Sequence, residues 1–366
     1  MDGYDRDVIY IGDGTSDNFY DVLPRDLTLQ NPMPKHLHES FMGYNHDTVF
    51  REVTFNEYKH TPETEKFLNT EHKKISGIDE MYDILKNVIE RKWDTNKTHV
   101  VGHSSGYDSR VMSQIIKELG EKHGDDWLGE VIYVETLGEG EGFERIMKEQ
   151  GLTGISYNGD VAIKRFHDYS FNFKTFYQKF NGVVSFPVNQ WYDAYRDLEE
   201  QGVLNSDNVQ CFTGYGANET QERAHKRNGF PYYFKWHHYL QLQRFKLWGD
   251  NWEHPFWDYE VMGAVAGFHE SKKWKVRTGK VMADTMVPHL KHIPRRDFTY
   301  LDGTGIRHAD KNLLKRATNN YKNSWYGKKV HIAMRSDFTF YCNWWMHYCI
   351  ASMCEYLLEN GYKIKI

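Results

Sequence analysis

Apolar positions along the middle of the chain alternate between two spacings. In "IDEMYDILKNVIERKW", Met81, Leu85, Val88 and Ile89 recur at helical intervals and predict a helix. "THVVGH" follows as a short apolar run bounded by polar residues, the pattern of a strand. Asp108 then opens a second helix whose apolar side is Val111, Met112, Ile115, Ile116 and Leu119. "EVIYVET" reads as the next strand, "GEGFERIMKEQG" as a helix closed by Gly151, and "GISYNG" as a third strand. "NVQCFTGYGANETQERA" repeats the order of strand, glycine-rich turn and helix. Strands alternating with short helices predict an α/β fold, a parallel sheet with crossover connections and helices on both faces.

The flanks look different. Residues 1–75, with short β-like pieces in "DVIYIGDG", "LPRDLTLQNPMP" and "TVFREVTF", predict an irregular mixed cap. Residues 76–366 form the main domain, with a helical C-terminal part that includes "DYEVMGAVAGF" and "TGKVMADTMVPHL". No internal repeat is visible.

Composition narrows the classes. A chain of 366 residues, 40% hydrophobic and 16% aromatic, can bury one large core or two ordinary ones. Its mean hydropathy of -0.74 reflects a polar surface rather than disorder. The net charge of -5 gives no global drive toward nucleic acid or anionic membrane, so neither is an expected partner. No apolar stretch approaches the ~20 residues that span a bilayer, and the start lacks the pattern of a secretory signal, so the expected address is the cytoplasm. Cys211, Cys342, Cys349 and Cys354 contain no CxxC pair and read as reduced core thiols. The histidines at 36 and 38 and at 237 and 238 lack metal-site spacing. The aromatics of "KNSWYGKK" and "FYCNWWMHY" read as core rather than as platforms for nucleobases.

The chemistry concentrates in "HSSGYDS", His103 to Ser109, where a strand stops and a helix begins. In an open parallel sheet, ligands lie beyond the carboxyl ends of the strands. A helix N-terminus there offers unpaired N–H groups and the positive end of the helix dipole to an anion. Ser104, Ser105 and Ser109 add hydroxyls, and Gly106 admits an anion close to the backbone. Three readings stay open for this turn alone: a serine-rich N-cap, a phosphate loop, or a nucleophile elbow. The last arises because "GHSSG" satisfies G-x-S-x-G with Ser104 at its centre, as in an α/β-hydrolase.

The order Ser-Ser-Gly-x-Asp-Ser resembles the Ser-Gly-Gly-x-Asp-Ser pyrophosphate loop of the ATP-pyrophosphatase (PP-loop, adenine nucleotide alpha hydrolase-like) fold, with Ser105 in place of the first glycine. Further landmarks are similar to those of the asparagine synthetase family and occur in that family's order. They are the acidic "YVETLGEGEGFERIMKEQGL", the turn "TGYGANET", "EHPFWD", "KWKVR" and "RRDFTYLDGTG". The resemblance covers 95–310. It implies an enzyme that binds ATP and Mg²⁺, adenylates a carboxylate, releases pyrophosphate and transfers the acyl group to ammonia or an amine. Ser104, Ser105, Gly106, Asp108, Ser109, Gly138 and Arg277 would bind ATP and pyrophosphate, although Arg277 could equally brace its helix. Asp108 and Asn218 would hold the metal, and Lys273 would neutralise phosphate charge.

Departures from the family carry expectations of their own. Asp2 stands where glutamine-dependent members have a nucleophilic cysteine, so no glutaminase domain is expected and a separate partner could supply ammonia. Tyr215 replaces a glutamate, as in β-lactam synthetases, where the tyrosine pairs with a glutamate as general base toward the amine. Glu219 and Glu222 are candidates for that acid, with Glu219 taken as catalytic. Asn218 replaces a metal-binding aspartate, an amide oxygen for a carboxylate. This leaves two alternatives to the ligase, a catalytically silent nucleotide-binding relative and a hydrolase using Ser104.

Overall fold

The computed structural model describes residues 9–30, 48–56, 61–104, 106–135, 141–156, 172–179, 198–214, 217, 252–272, 278–293, 311–331 and 338–366. Its first elements are the short strands β1 (Tyr10–Gly12), β2 (Gly14–Ser16), β3 (Asp26–Thr28) and β4 (Thr54–Phe55). Helix α1 (Pro62–Leu68) starts at a Thr61 cap whose hydroxyl accepts from the Thr64 N–H, with proline at its first position, where no donor is needed. Helix α2 (Ile78–Lys92) places Asp79 and Glu80 in its first turn and Arg91 and Lys92 in its last, each complementing the helix dipole. The run expected to be apolar is the buried side of α2: Met81, Leu85, Val88 and Ile89 are all inaccessible to solvent.

The central alternation of strands and helices then follows in the expected order. It comprises β5 (Thr98–His103), α3 (Tyr107–His123), a short α4 (Asp125–Leu128), β6 (Val131–Glu135), α5 (Glu141–Gln150), β7 (Gly154–Ser156) and β8 (Val209–Phe212). Gly151 ends α5 at a φ of 66°, a conformation that favours glycine. A two-residue strand, β9 (Trp252–Glu253), completes the sheet; it lies inside "EHPFWD" and its neighbourhood, which the sequence pattern did not mark as a strand.

All neighbouring pairs in this sheet are parallel, and the five strands stand in the order β7-β6-β5-β8-β9. The chain moves outward from β5 in one direction and then returns to build β8 and β9 on the other side. The reversal between β5 and β8 is where ligand crevices form in open α/β sheets. One sheet face carries Val101, Tyr133 and Phe212 into a core shared with α2, α3, α5, α6 (Tyr259–Lys272) and α7 (Thr278–Met286). The other face, with Val100, Val134, Val209 and Cys211, is buried as well, as interior parallel strands require.

A second core joins distant parts of the chain. Helices α8 (Lys311–Asn323), α9 (Trp325–Lys329) and α10 (Phe338–Glu359) and the last strand β10 (Lys363–Lys365) pack with the N-terminal strands. Strand β10 pairs in parallel with β3 through Ile364 and Leu27. Residues 10–55 therefore share their core with 317–364, whereas Phe67 and Ile75 belong to the core of the parallel sheet. Eight consecutive residues of α10, His347 to Cys354, are buried, so that stretch is enclosed on every side. Cys211, Cys349 and Cys354 are buried free thiols, as their spacing suggested. Among the described residues, no helix is long and apolar enough to cross a membrane.

Candidate functional site

The loop after β5 closes on itself through serine. The Gly106 N–H donates to the Ser104 hydroxyl at 3.1 Å. The Ser109 hydroxyl, one turn into α3, faces the Ser104 carbonyl at 2.6 Å and the Gly106 carbonyl at 3.0 Å, and the Ser104 N–H donates to the Ser109 Oγ at 3.2 Å. Gly106 is the N-cap of α3 and receives no side-chain cap. A Cβ there would lie 2.9 Å from the Ser104 Oγ, so the turn needs glycine for space. The serines thus shape the loop, while the first N–H groups of α3 have no intrahelical acceptor, as at any helix N-terminus.

Asp108, in the first turn of α3, is 8% exposed. Against it sits the turn that follows β8. There the Ala217 N–H donates to the Gly214 carbonyl, so the chain curls immediately after the strand. A Cβ on Gly214 would stand 3.3 Å from the Asp108 Cβ and 3.7 Å from the Phe256 ring. Three separate segments, "HSSGYDS", "TGYGANET" and "EHPFWD", therefore meet at Gly214.

The third segment is also fastened from behind. Asp258 accepts from Arg91 at 3.0 Å, Glu253 pairs with Lys92 at 2.9 Å, and the Gln210 side chain donates to the Lys92 carbonyl at 2.7 Å. The C-terminal end of α2 thereby holds β8 and β9 at their place beside β5.

Beneath the loop lies a buried polar network that sequence reasoning missed. The His103 Nε2 is 3.1 Å from the Ser113 Oγ, which lies 2.9 Å from the Gln150 side-chain oxygen and 3.1 Å from the Arg110 carbonyl. Arg110 donates to the Leu290 carbonyl at 2.9 Å, and Lys117 donates to the Gln150 carbonyl at 2.7 Å. His103, Arg110, Ser113 and Gln150 are each at most 2% exposed. Burial, reinforced by the Arg110 charge, pushes the His103 imidazole down to about 3, so it stays neutral at physiological pH. Arg110, Ser113 and Lys117 recur at helical spacing along α3, and that polar stripe beside an apolar one was the available signal.

Lys280 on α7 lies over the Tyr107 ring at 5.6 Å from its centre, and pairs with Asp284 one turn on. The hydroxyl of Ser104 meets the Ser109 hydroxyl and the Gly106 N–H. Among the described residues it has no histidine nitrogen beside it, which a serine nucleophile would need.

Of the residues expected to form the site, Ser104, Gly106, Asp108 and Ser109 are brought together in one loop. Ser105, Gly138, Tyr215, Asn218, Glu219, Glu222, Lys273 and Arg277 lie outside the described residues, as do the histidines at 36, 38, 237 and 238. Among the described residues, no group of three or more His, Cys, Asp or Glu side chains is gathered for a metal. Compared with known proteins, the chain matches no family model and no curated relative.

Proposed function

We propose that the chain is an ATP-dependent ligase of the asparagine-synthetase type, which adenylates a carboxylate, releases pyrophosphate and passes the acyl group to ammonia or an amine. The observation that carries this reading is the convergence at Gly214 of three segments that resemble the family's landmarks, although they lie far apart in the chain. The strand order supports it: numbered within the sheet from β5, it reads 3-2-1-4-5, the beginning of the doubly wound nucleotide-binding order.

In this reading the N-terminal N–H groups of α3 receive the pyrophosphate portion of ATP, and Gly106 leaves it room. Asp108 suits Mg²⁺, a hard cation that takes one or two carboxylates and completes its shell with phosphate oxygens and water, and Asn218 would add an amide oxygen. The metal would supply charge neutralisation at the phosphates. Lys273 would offset the negative charge that grows on the leaving pyrophosphate. Tyr215, with Glu219 or Glu222, would take the proton that the attacking amine must lose. The Ser109 hydroxyl has a single proton shared between two loop carbonyls, so its first task is to hold the loop in shape.

ATP–pyrophosphate exchange across a panel of carboxylic acids tests this function. Exchange is expected with at least one acid and should fall at least a hundredfold in Asp108→Ala. Calorimetry showing no ATP binding with Mg²⁺ present would overturn the ligase; binding without exchange would leave a silent nucleotide-binding relative. Labelling of Ser104 by a fluorophosphonate would replace both with a hydrolase.

A further inference from the structure

The chain is acidic overall, yet one stretch of its surface carries only positive charge. Residues 311–331, which form α8 and α9, contain Lys311, Lys315, Arg316, Lys322, Lys328 and Lys329 and no Asp or Glu. On α8, Ala317 and Tyr321 face the second core, at 1% and 2% exposure. Positions 315, 316, 319, 322 and 323 fall on the opposite side of a helix of ~3.6 residues per turn, and all five are exposed. They are Lys315, Arg316, Asn319, Lys322 and Asn323, and Lys328 and Lys329 follow, exposed, at the end of α9.

Several cations on the sheet domain, by contrast, are held in ion pairs. There, Lys73, Lys86, Arg91, Lys92 and Lys122 each have a carboxylate within 3.0 Å. Among the described residues, Lys315, Arg316, Lys322, Lys328 and Lys329 have none. The carboxylate that does reach this segment, Glu355, accepts the main-chain N–H of Trp325 and neutralises no side chain. Of the segment's aromatic rings, Tyr321 and Tyr326 are buried and pack edge to face at 6.2 Å, while Lys329 lies over half-buried Trp325 at 4.9 Å.

We propose that the outer side of α8 and α9 is a binding surface for the phosphate backbone of a nucleic acid. At physiological salt, charges more than ~8 Å away are largely screened, so the local excess and not the total of -5 sets the attraction. The composition favours phosphate over an acidic protein. Protein interfaces are enriched in Arg and aromatics and depleted in Lys, whereas this surface is mostly Lys with Asn between, and Asn side chains are regular phosphate and sugar ligands. Among the described rings of this segment Tyr321 and Tyr326 are buried and Trp325 is covered by Lys329, so the binding is to the backbone and indifferent to sequence.

The test is fluorescence anisotropy of labelled single-stranded RNA and duplex DNA across a salt series, using the full chain. The logarithm of affinity for duplex should fall with the logarithm of salt at a slope of about -4.5, given roughly 0.9 per phosphate contact and five cations. In Lys315→Gln/Lys322→Gln/Lys328→Gln/Lys329→Gln, affinity should drop at least tenfold while the melting temperature falls by no more than a few degrees. The proposal is overturned if the unaltered chain binds neither nucleic acid at low salt, or if the variant binds as well and with the same slope. Capture of polyglutamate in place of either nucleic acid would also overturn it and assign the surface to an acidic protein. ATP–pyrophosphate exchange is read separately, so the outcome here is independent of the ligase reading.

Discussion

Strand β5 carries two buried histidines on the same face, one near each end, and they serve different purposes. His99 lies flat against Trp93, with ring centres 3.6 Å apart, in a stack that includes Phe212 and Trp127. Its ring nitrogens have no hydrogen-bond partner among the described residues. His103 instead shares a hydrogen bond with Ser113 and belongs to the polar network under the loop. Burial lowers both, His99 to about 4 and His103 to about 3. One end of the strand thus uses an imidazole as an aromatic plate, and the other uses it as a polar brace for a turn. The shared face and shared burial do not distinguish them; their neighbours do.

Substitutions can sharpen or break this contrast. The largest effect should come from Gly214→Val, which forces a side chain against Asp108; overpacking there costs about 3 kcal/mol and should abolish the ATP binding proposed above, as read by urea melts and calorimetry. A variant of normal affinity would show that the meeting of the two turns does not matter to the site. Next, His103→Leu should cost about 2 kcal/mol, because it strands buried polar partners, whereas His99→Phe keeps the stack and should cost under about 1 kcal/mol. Equal losses in the two would erase the distinction.

The pH dependence follows from both rings. Unfolded histidine titrates near 6.5, while His103 in the folded chain takes a proton only near 3. As pH falls below 6.5, protons load the unfolded chain alone, so stability declines, by at most ~1.4 kcal/mol per pH unit from His103. His103→Gln should flatten the decline in melting temperature between pH 6 and pH 4; an unaltered slope would mean that other groups govern it. The smallest effect is expected for Ser109→Ala, about 1 kcal/mol from its lost hydrogen bonds. A weaker pyrophosphate affinity with little change in stability would place the hydroxyl on the ligand as well as on the loop.

Much of the sheet domain was legible in the sequence because each element carried its own period. Met81, Leu85, Val88 and Ile89 announced α2, and the runs at 98–103, 131–135 and 209–212 announced strands. Strand β9 was not legible, since two residues are too short to show alternation. The second core was invisible for another reason: the pairing of Leu27 with Ile364 leaves no trace in any local window. At the site, glycine and serine marked the loop. Ser113, on the polar stripe of α3, and Gln150 were weaker signals, because a polar residue on a helix ordinarily reads as surface although both are buried here. The contact of Gly214 with Asp108 depends on strand order, which periodicity does not encode.

The union of β3 with β10 orders events in time. The core of the parallel sheet draws its residues from between Phe67 and Ile293. The strands near residues 10–55 cannot complete their core until residues 317–364 have been made. Until then Tyr10, Phe19, Phe50 and Phe55 have one another to pack against but lack the C-terminal half of their core. Late, non-local closure of this kind is slow and leaves sticky surface exposed meanwhile. Shortening the chain before Lys363 should therefore show itself first as aggregation of newly made protein.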